Sequence, residues 1–244
     1  MRNIKLTIEY DGTGYAGWQV QKNALTIQEV LEKGIENLIN HDVSLTGSSR
    51  TDAGVHAKGM VANFKTTSNI PAENFPAAIN GKLPNDIVIL KAEDVGMEFH
   101  SRFDSLGKVY SYTILNRRYP PGLYRNYVAH VPIKLNVEGM KKACNFFIGT
   151  HDFSTFKSTG SSAKTSIRTI KSLYIENSGE IIKIYIEADG FLYNMVRIIS
   201  GTLIEVGIGK IRYNDIPDII DSKDRKRAGK TAPANGLCLE CVRY

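Results

Sequence analysis

Thr26-Ile27-Gln28-Glu29-Val30-Leu31 is the stretch that decides the fold of the first half of this 244-residue chain. A threonine followed three residues later by a glutamate, at the start of an apolar run, is a capping box and begins a helix. Apolar residues continue at helical spacing to Leu38, which gives the helix one buried side. Before it, apolar and polar residues alternate from Ile4 to Tyr10, as in a strand with one buried face. The sequence therefore predicts a strand followed by a helix.

The segments after this helix complete a recognisable order of elements. Strands are predicted near residues 43–46 and 59–65. A short helix over 71–80, opened by Pro71, and a strand over 86–92 follow them. The first half thus reads strand–helix–strand–strand–helix–strand, which is the ferredoxin-like order.

The second half repeats that order. Its predicted elements are a strand from Val109 to Leu115, a helix capped by Asn136 and stopped by Gly149, strands over 168–176 and 181–188, a helix over about 191–206 and a last strand over 237–243. Asn177-Ser178-Gly179 is a hairpin signal between the two middle strands. The prediction is an α+β fold of two ferredoxin-like halves, 1–105 and 106–244, joined into a mixed, mainly antiparallel sheet with a central active-site cleft.

The charge balance favours a polyanionic partner. The chain has 31 basic and 25 acidic residues and a net charge of +6. One basic cluster comprises Lys223, Arg225, Lys226, Arg227 and Lys230; the other comprises Arg117, Arg118 and Arg125, interleaved with Tyr119, Tyr124 and Tyr127. Basic residues among aromatic ones suit a nucleic acid, whose phosphates and bases both need contacts. Solvated loops explain the same residues equally well.

The composition points to a cytoplasmic protein. Residues 1–6 alternate apolar and polar side chains, unlike a signal peptide, and no run approaches the ~18 apolar residues of a membrane span. Three cysteines make an odd number, which suits a reducing compartment. Cys238 and Cys241 lie three apart in a predicted strand and so point to opposite faces, which disfavours a metal or redox site. None of the five histidines shows the spacing of metal ligands.

The stretch most suggestive of chemistry is Gly47-Ser48-Ser49-Arg50-Thr51-Asp52-Ala53-Gly54-Val55-His56-Ala57, between two predicted strands. Its one carboxylate, Asp52, follows the cation Arg50 by two residues. Catalytic groups are often carried on such loops, and glycines let the backbone approach a ligand closely. The alternative is a tight turn in which Asp52 only caps a local amide.

Two glycine motifs resemble nucleotide-binding loops. Gly12-Thr13-Gly14-Tyr15-Ala16-Gly17 has the spacing of a dinucleotide fingerprint, but the predicted helix begins at Thr26, too late to present its N-terminus to a pyrophosphate. Gly229-Lys230-Thr231 ends like a P-loop but has Asp224 where the first glycine belongs. A glycosidase with a second carboxylate stays open, because the partner acid could come from anywhere in the chain.

Seven segments taken together resemble the tRNA pseudouridine synthase A family. The first four are Tyr10-Asp11-Gly12-Thr13-Gly14-Tyr15-Ala16-Gly17-Trp18-Gln19, Arg50-Thr51-Asp52-Ala53-Gly54-Val55-His56-Ala57, Phe99-His100-Ser101-Arg102-Phe103-Asp104 and Lys108-Val109-Tyr110-Ser111-Tyr112. The others are Gly149-Thr150-His151-Asp152-Phe153-Ser154, Gly190-Phe191-Leu192-Tyr193-Asn194-Met195-Val196-Arg197 and Ala232-Pro233-Ala234-Asn235-Gly236-Leu237. The chain departs from the family pattern at Ser49, where glycine is usual, and at Val109, where arginine is usual.

The resemblance implies an isomerase that converts uridine to pseudouridine in the anticodon stem-loop of tRNA. It implies a homodimer that uses no cofactor and no metal and does not bind a membrane. The implied catalytic residues are Asp52 as nucleophile, Tyr110 against the uracil ring and Arg197 as the cation paired with Asp52. The implied substrate-binding residues are Tyr110, Arg50, Thr51, His56 and Asn194.

The residues themselves fit this chemistry. A carboxylate can attack C1′ of the ribose or C6 of the base, and a neighbouring guanidinium favours its charged form. On a helix, Arg197 lies opposite the apolar side, with the small residues Ser200 and Gly201, as on a face that another backbone or a ligand approaches; a solvated face is the alternative. Tyr110 could stack on a flipped base; the alternative is that it is a core aromatic residue. Arg50 could fill the vacated space or hold a phosphate. An RNA-binding module without catalysis and a dinucleotide-dependent oxidoreductase are the competing functions.

Overall fold

The computed structural model describes residues 1–160 and 163–244. The chain divides into two compact units. The N-terminal unit comprises Met1–Leu106 with Cys238–Tyr244, and the C-terminal unit comprises Gly107–Leu237. The final strand thus belongs mostly to the N-terminal unit, whereas the sequence analysis placed it with the second half.

Ten strands and five α-helices form within the described residues. The strands are β1 (Arg2–Tyr10), β2 (Thr46–Gly47), β3 (His56–Thr66), β4 (Ile87–Val95), β5 (Gly107–Asn116), β6 (Ala129–Val131), β7 (Gly149–Asp152), β8 (Ile167–Ser178), β9 (Ile181–Ala188) and β10 (Leu237–Arg243). The helices are α1 (Ile27–Ile39), α2 (Phe75–Asn80), α3 (Val137–Cys144), α4 (Met195–Gly207) and α5 (Ile216–Asp221). None of the helices in the described part of the chain is long and apolar enough to cross a membrane.

The N-terminal unit has the ferredoxin-like strand order that the sequence predicts. Strand β1 pairs antiparallel with β3 on one side and β4 on the other, and β2 pairs antiparallel with β3. Strand β10 adds to this sheet by parallel pairing with β3, where Cys238 and Leu239 lie opposite His56 and Ala57. The predicted α+β class with a mixed, mainly antiparallel sheet is confirmed.

Helix α1 begins where the capping box predicts. The Thr26 side chain accepts a hydrogen bond from the Glu29 amide at 3.4 Å. Ile27, Leu31 and Ile35 are fully buried along one side of the helix. The helix ends at Asn40, whose φ of 56° is left-handed and stops further helical bonding.

The C-terminal unit is built around one hairpin. Strands β8 and β9 pair antiparallel, and β9 pairs antiparallel with β5. Two short strands extend the sheet: β7 pairs with β8, and β6 runs parallel to β5. Helix α3 is capped as predicted, because the Asn136 side chain accepts a hydrogen bond from the Gly139 amide at 3.0 Å.

Four predicted boundaries are wrong. Helix α2 begins at Phe75 rather than at 71, and α3 ends at Cys144 rather than at Gly149. The other two differences each have a local reason. Only Thr46–Gly47 of the first predicted strand region is a strand, because carboxylates of α1 take the amides before it: Val43 N donates to Glu36 Oε1 at 3.0 Å and Leu45 N to Glu32 Oε1 at 2.8 Å. Helix α4 begins at Met195 rather than near 191, because Asn194 is left-handed, with a φ of 60°. Strands β6 and β7 and helix α5 were not predicted at all.

The cap of α1 gives a stability prediction. Thr26→Ala removes the side-chain acceptor for the Glu29 amide in a fully buried position, so the free energy of unfolding should fall by about 1 kcal/mol. Thr26→Ser keeps the acceptor and should lose much less. Urea unfolding of both variants measures the difference, and equal losses would show that the methyl packing, not the cap, matters.

Candidate active site

The aspartate loop connects β2 to β3 through a tight turn. Val55 N donates to the carbonyl of Asp52 at 3.1 Å, and Gly54 takes a positive φ of 76°, which favours glycine. Thr51 is buried, Asp52 is half-buried and Arg50 is exposed. The loop is therefore held by its backbone, with its charged side chains at different depths.

The glycine-rich segment before α1 packs directly against this loop. A Cβ on Gly17, whose φ is +98°, would lie 2.5 Å from the carbonyl oxygen of Thr51, and a Cβ on Gly12 would overlap the carbonyl of Val55. Trp18 N also donates to Thr51 O at 3.1 Å. These two glycines thus serve backbone-to-backbone packing, and helix α1 starts well after them. The dinucleotide reading of the motif fails on this geometry.

Buried side chains brace the same contact. The hydroxyls of Tyr10 and Thr51 are 2.7 Å apart. The Gly12 amide donates to His56 Nδ1 at 3.1 Å, and Asp11 Oδ1 lies 3.1 Å from the same nitrogen. Thr51 and His56, both predicted to bind substrate, are therefore joined to the glycine-rich segment of their own chain.

A concave site lies beside Arg50, within the N-terminal unit. We call it the Phe103 pocket; its lining includes Trp18, Gly47, Arg50, His100, Arg102 and Phe103. Its volume is about 220 Å³. Gly47 is required there, since a Cβ would overlap the indole of Trp18. The pocket was not predicted, although Trp18, Arg50 and Phe103 lie in segments that carry the family resemblance, because its walls come from three separate parts of the chain.

Tyr110 lies on β5 in the C-terminal unit. Its ring is buried and contacts Phe191 edge-to-face, with centroids 5.1 Å apart and an interplanar angle of 87°. Two residues along the strand, the Tyr112 hydroxyl donates to the carbonyl of Pro233 at 2.8 Å. Burial raises the pKa of Tyr112 above its ordinary value, against a lowering effect of the Arg197 charge, so the phenol stays protonated.

Arg197 is held rather than solvated. Its Nε donates to Ala232 O at 2.8 Å and its Nη1 to Asn194 Oδ1 at 2.8 Å. Asn194 in turn donates to Ser158 Oγ at 3.0 Å. These bonds fix the plane of the guanidinium, and they join two of the segments that carry the family resemblance.

The small residues on this face of α4 admit another backbone, as the sequence analysis expected. A Cβ on Gly201 would overlap the carbonyl oxygen of Lys230, and Ser200 is fully buried. The Gly229 amide donates to Thr202 Oγ1 at 2.9 Å. The segment after residue 228 therefore lies directly on the helix that carries Arg197.

Comparison with known proteins identifies the family. A family described as tRNA pseudouridine synthase matches residues 6–104 and 143–244. The chain belongs to this family. It is 58% identical to "tRNA pseudouridine synthase A 2" of Clostridium perfringens and 57% identical to "tRNA pseudouridine synthase A" of Acetivibrio thermocellus, over 244 residues and the whole of both chains in each case. Identity to the protein of the same name from a Thermoanaerobacter species is 54%, again over both whole chains.

The residues that match the family include two of the three candidate catalytic residues. Asp52 and Arg197 lie inside the matched ranges, and Tyr110 lies in the interval between them. Among the described residues, no group of histidine, cysteine and carboxylate side chains could hold a metal ion. Cys144 is buried, which raises the pKa of its thiol to about 12 and leaves it unreactive.

The packing of the glycine-rich segment gives a prediction for this family member. Gly17→Ala forces a side chain into a left-handed conformation against Thr51, so the free energy of unfolding should fall by about 1–3 kcal/mol and activity on tRNA should fall with it. Gly14→Ala is the matched control, because no atom of the described residues lies within 4 Å of a Cβ there. Urea unfolding and turnover are measured on both; a Gly17→Ala variant that behaves like the control would refute the packing argument.

Proposed function

We propose that this protein isomerises uridine to pseudouridine in the anticodon stem-loop of tRNA, with Asp52 as the nucleophile and without a cofactor. The observation that carries the proposal is the rigid aspartate loop, buried at Thr51 and packed on the glycine-rich segment, in a chain of this family. A nucleophile on such a loop is positioned before the substrate arrives.

The reaction needs only groups that the chain supplies. The N1–C1′ bond of uridine breaks, the base turns, and a C5–C1′ bond forms. C5 loses its proton and N1, which carries none in uridine, gains one, so atoms and electrons balance with no oxidant or reductant. Asp52 attacks either C1′ of the ribose or C6 of the base, and both routes need its ionised form.

Arg197 and Tyr110 have supporting roles in this proposal. Arg197 is the cation that the family resemblance pairs with Asp52, and its bonds to Ala232 and Asn194 fix the guanidinium in one orientation. Tyr110 stacks on the uracil once the base has left the stem, which recovers part of the cost of flipping. Phe191 fixes the plane of that ring.

The remaining candidates bind or shape the substrate site. Arg50 is exposed and can contact a phosphate or occupy the space that the base leaves. Thr51, His56 and Asn194 act through the shape of the loops that they brace. We propose a cytoplasmic homodimer as the active form, in keeping with the family resemblance.

The two basic clusters differ in the exposed side chains that could contact RNA. Arg225 donates to Gly229 O at 2.9 Å and Thr231 Oγ1 at 3.0 Å, so it stabilises its own loop. In the other cluster, Arg117 is likewise bound, to Tyr119 O at 3.0 Å and Glu180 Oε2 at 3.2 Å, but Tyr119, Tyr124 and Tyr127 are exposed. Exposed aromatic rings among cations suit unpaired bases and phosphates. The proposal therefore favours the second cluster as an RNA contact.

Asp52→Asn tests the nucleophile. The variant keeps the size of the side chain but replaces the nucleophilic carboxylate by a neutral amide, so turnover should fall on the order of 10³-fold or more, while tRNA affinity changes little. Release of tritium from uridine labelled at C5 measures turnover, because that proton leaves in the reaction; filter binding measures affinity. Asp42→Asn, at an exposed aspartate outside the loop, is the control. Full activity in Asp52→Asn would exclude the nucleophilic role.

Arg197 gives a second test. Arg197→Ala should lower turnover on the order of 10²-fold, since a fixed cation at the reaction is lost. Arg197→Lys keeps the charge but not the two fixed bonds and should recover part of the rate. Arg212→Ala removes an exposed arginine paired with Asp215 and is the control. An unchanged rate in Arg197→Ala, with thermal unfolding intact, would show that this arginine takes no part in the chemistry.

A further inference from the structure

We infer that the Phe103 pocket binds one unpaired nucleotide of the tRNA, distinct from the uridine that reacts. The inference rests on the proposed function, because it assigns a further subsite for the same substrate. Asp52 is not part of the pocket lining, although Arg50, two residues before it, is. Part of the aspartate loop therefore lines the pocket, but the reacting group does not.

The size of the pocket suits a single base. Its volume is about 220 Å³. Sites for drug-sized ligands usually occupy about 300–1,000 Å³, so this one is too small for a dinucleotide cofactor. A flat heterocycle with its ribose extending to solvent is the class of ligand that fits.

Phe103 supplies a stacking surface that is already in place. Its side chain is 74% exposed, and its ring centroid lies 4.2 Å from that of His100. The surrounding turn is rigid, because the amides of Phe103 and Asp104 donate to the carbonyl of His100 and Asp104 Oδ2 accepts from the His100 amide. A large apolar ring held on a rigid turn in water is suited to stacking on an unpaired base.

Charge in the pocket matches a phosphodiester. The lining contains Arg50 and Arg102 and no carboxylate. The Arg102 guanidinium lies 5.7 Å from the centre of the Phe103 ring, and Arg102 makes no salt bridge with any described residue. Arginine beside an aromatic ring can bind the phosphate of the nucleotide whose base lies on that ring.

Polar groups in the pocket lining can read the edge of a base. Gln28 fixes the amide of Gln19, because its Oε1 accepts from Gln19 Nε2 at 2.7 Å. Gln28 is itself held, since its Nε2 donates to Leu45 O at 3.1 Å and Glu32 Oε1 at 2.9 Å. The Oε1 of Gln19 accepts no hydrogen bond from the described residues. An oriented amide with one available acceptor is a feature of base recognition.

Phe103→Leu tests the inference in the Asp52→Asn background, where RNA binds without turnover. The probe is an anticodon stem-loop RNA, and its affinity should weaken about tenfold when the ring is lost. In the otherwise unchanged enzyme, Phe103→Leu should raise KM by the same factor and leave kcat within about twofold, because the ring does not touch the reacting uridine. Tyr174→Leu removes another exposed ring, on β8, and is the matched control.

Abasic substitution identifies the bound nucleotide. Loop nucleotides of the RNA are replaced one at a time by abasic residues, and at one position the effect of Phe103→Leu should disappear. Trp18, the only tryptophan of the chain and part of the lining, gives a fluorescence change on binding that should be lost with the same abasic RNA. Unchanged affinity in Phe103→Leu, with binding and turnover otherwise intact, would overturn the inference alone. Absence of RNA binding by the parent protein would overturn both it and the proposed function.

Discussion

The candidate site depends on one contact between two stretches of backbone. Gly12 and Gly17 lie against the carbonyls of Val55 and Thr51, closer than any side chain at those positions would allow. Gly12 is needed because there is no space for a side chain, and Gly17 is needed for space and for its positive φ. The glycines of this motif are therefore explained by packing, although their spacing matches a nucleotide-binding fingerprint. The contact holds the aspartate loop against the backbone of the glycine-rich segment.

In the C-terminal unit, Arg197 also lies beside a backbone contact that only glycine allows. Gly201 admits the carbonyl of Lys230, the Gly229 amide bonds Thr202, and the Ala232 carbonyl then reaches the guanidinium. In both units a charged side chain that the family resemblance marks as catalytic stands next to a glycine-mediated backbone contact. Such contacts cost little side-chain entropy and leave little room for displacement, which is what a pre-positioned reaction site requires.

Local signals predicted the elements, and tertiary contacts decided where some of them end. The caps at Thr26 and Asn136 and the hairpin between β8 and β9 were found because each depends on residues close in sequence. The region 43–46 was predicted as a strand, but Glu32 and Glu36 bind its amides, and an alternation pattern carries no information about that competition. Likewise, the left-handed Asn194 that delays α4 follows from its bonds to Ser158 and Arg197, which are invisible to helical periodicity.

The sequence predicted the parts of the site that lie in short motifs and missed the part that depends on tertiary contacts. Asp52, Arg197 and Tyr110 were nominated because each lies in a short motif. The Phe103 pocket was missed because Trp18, Gly47 and Phe103 are far apart in the chain and come together only when β2 and the glycine-rich segment are in place.

Net charge is limited in the same way as a guide to where a partner binds. The net charge of +6 counts Arg225 with the rest, yet its guanidinium is bound to its own loop, whereas Arg102 makes no salt bridge with the described residues. The number of cations therefore predicts a polyanionic partner, but only the contacts of each cation indicate where that partner binds.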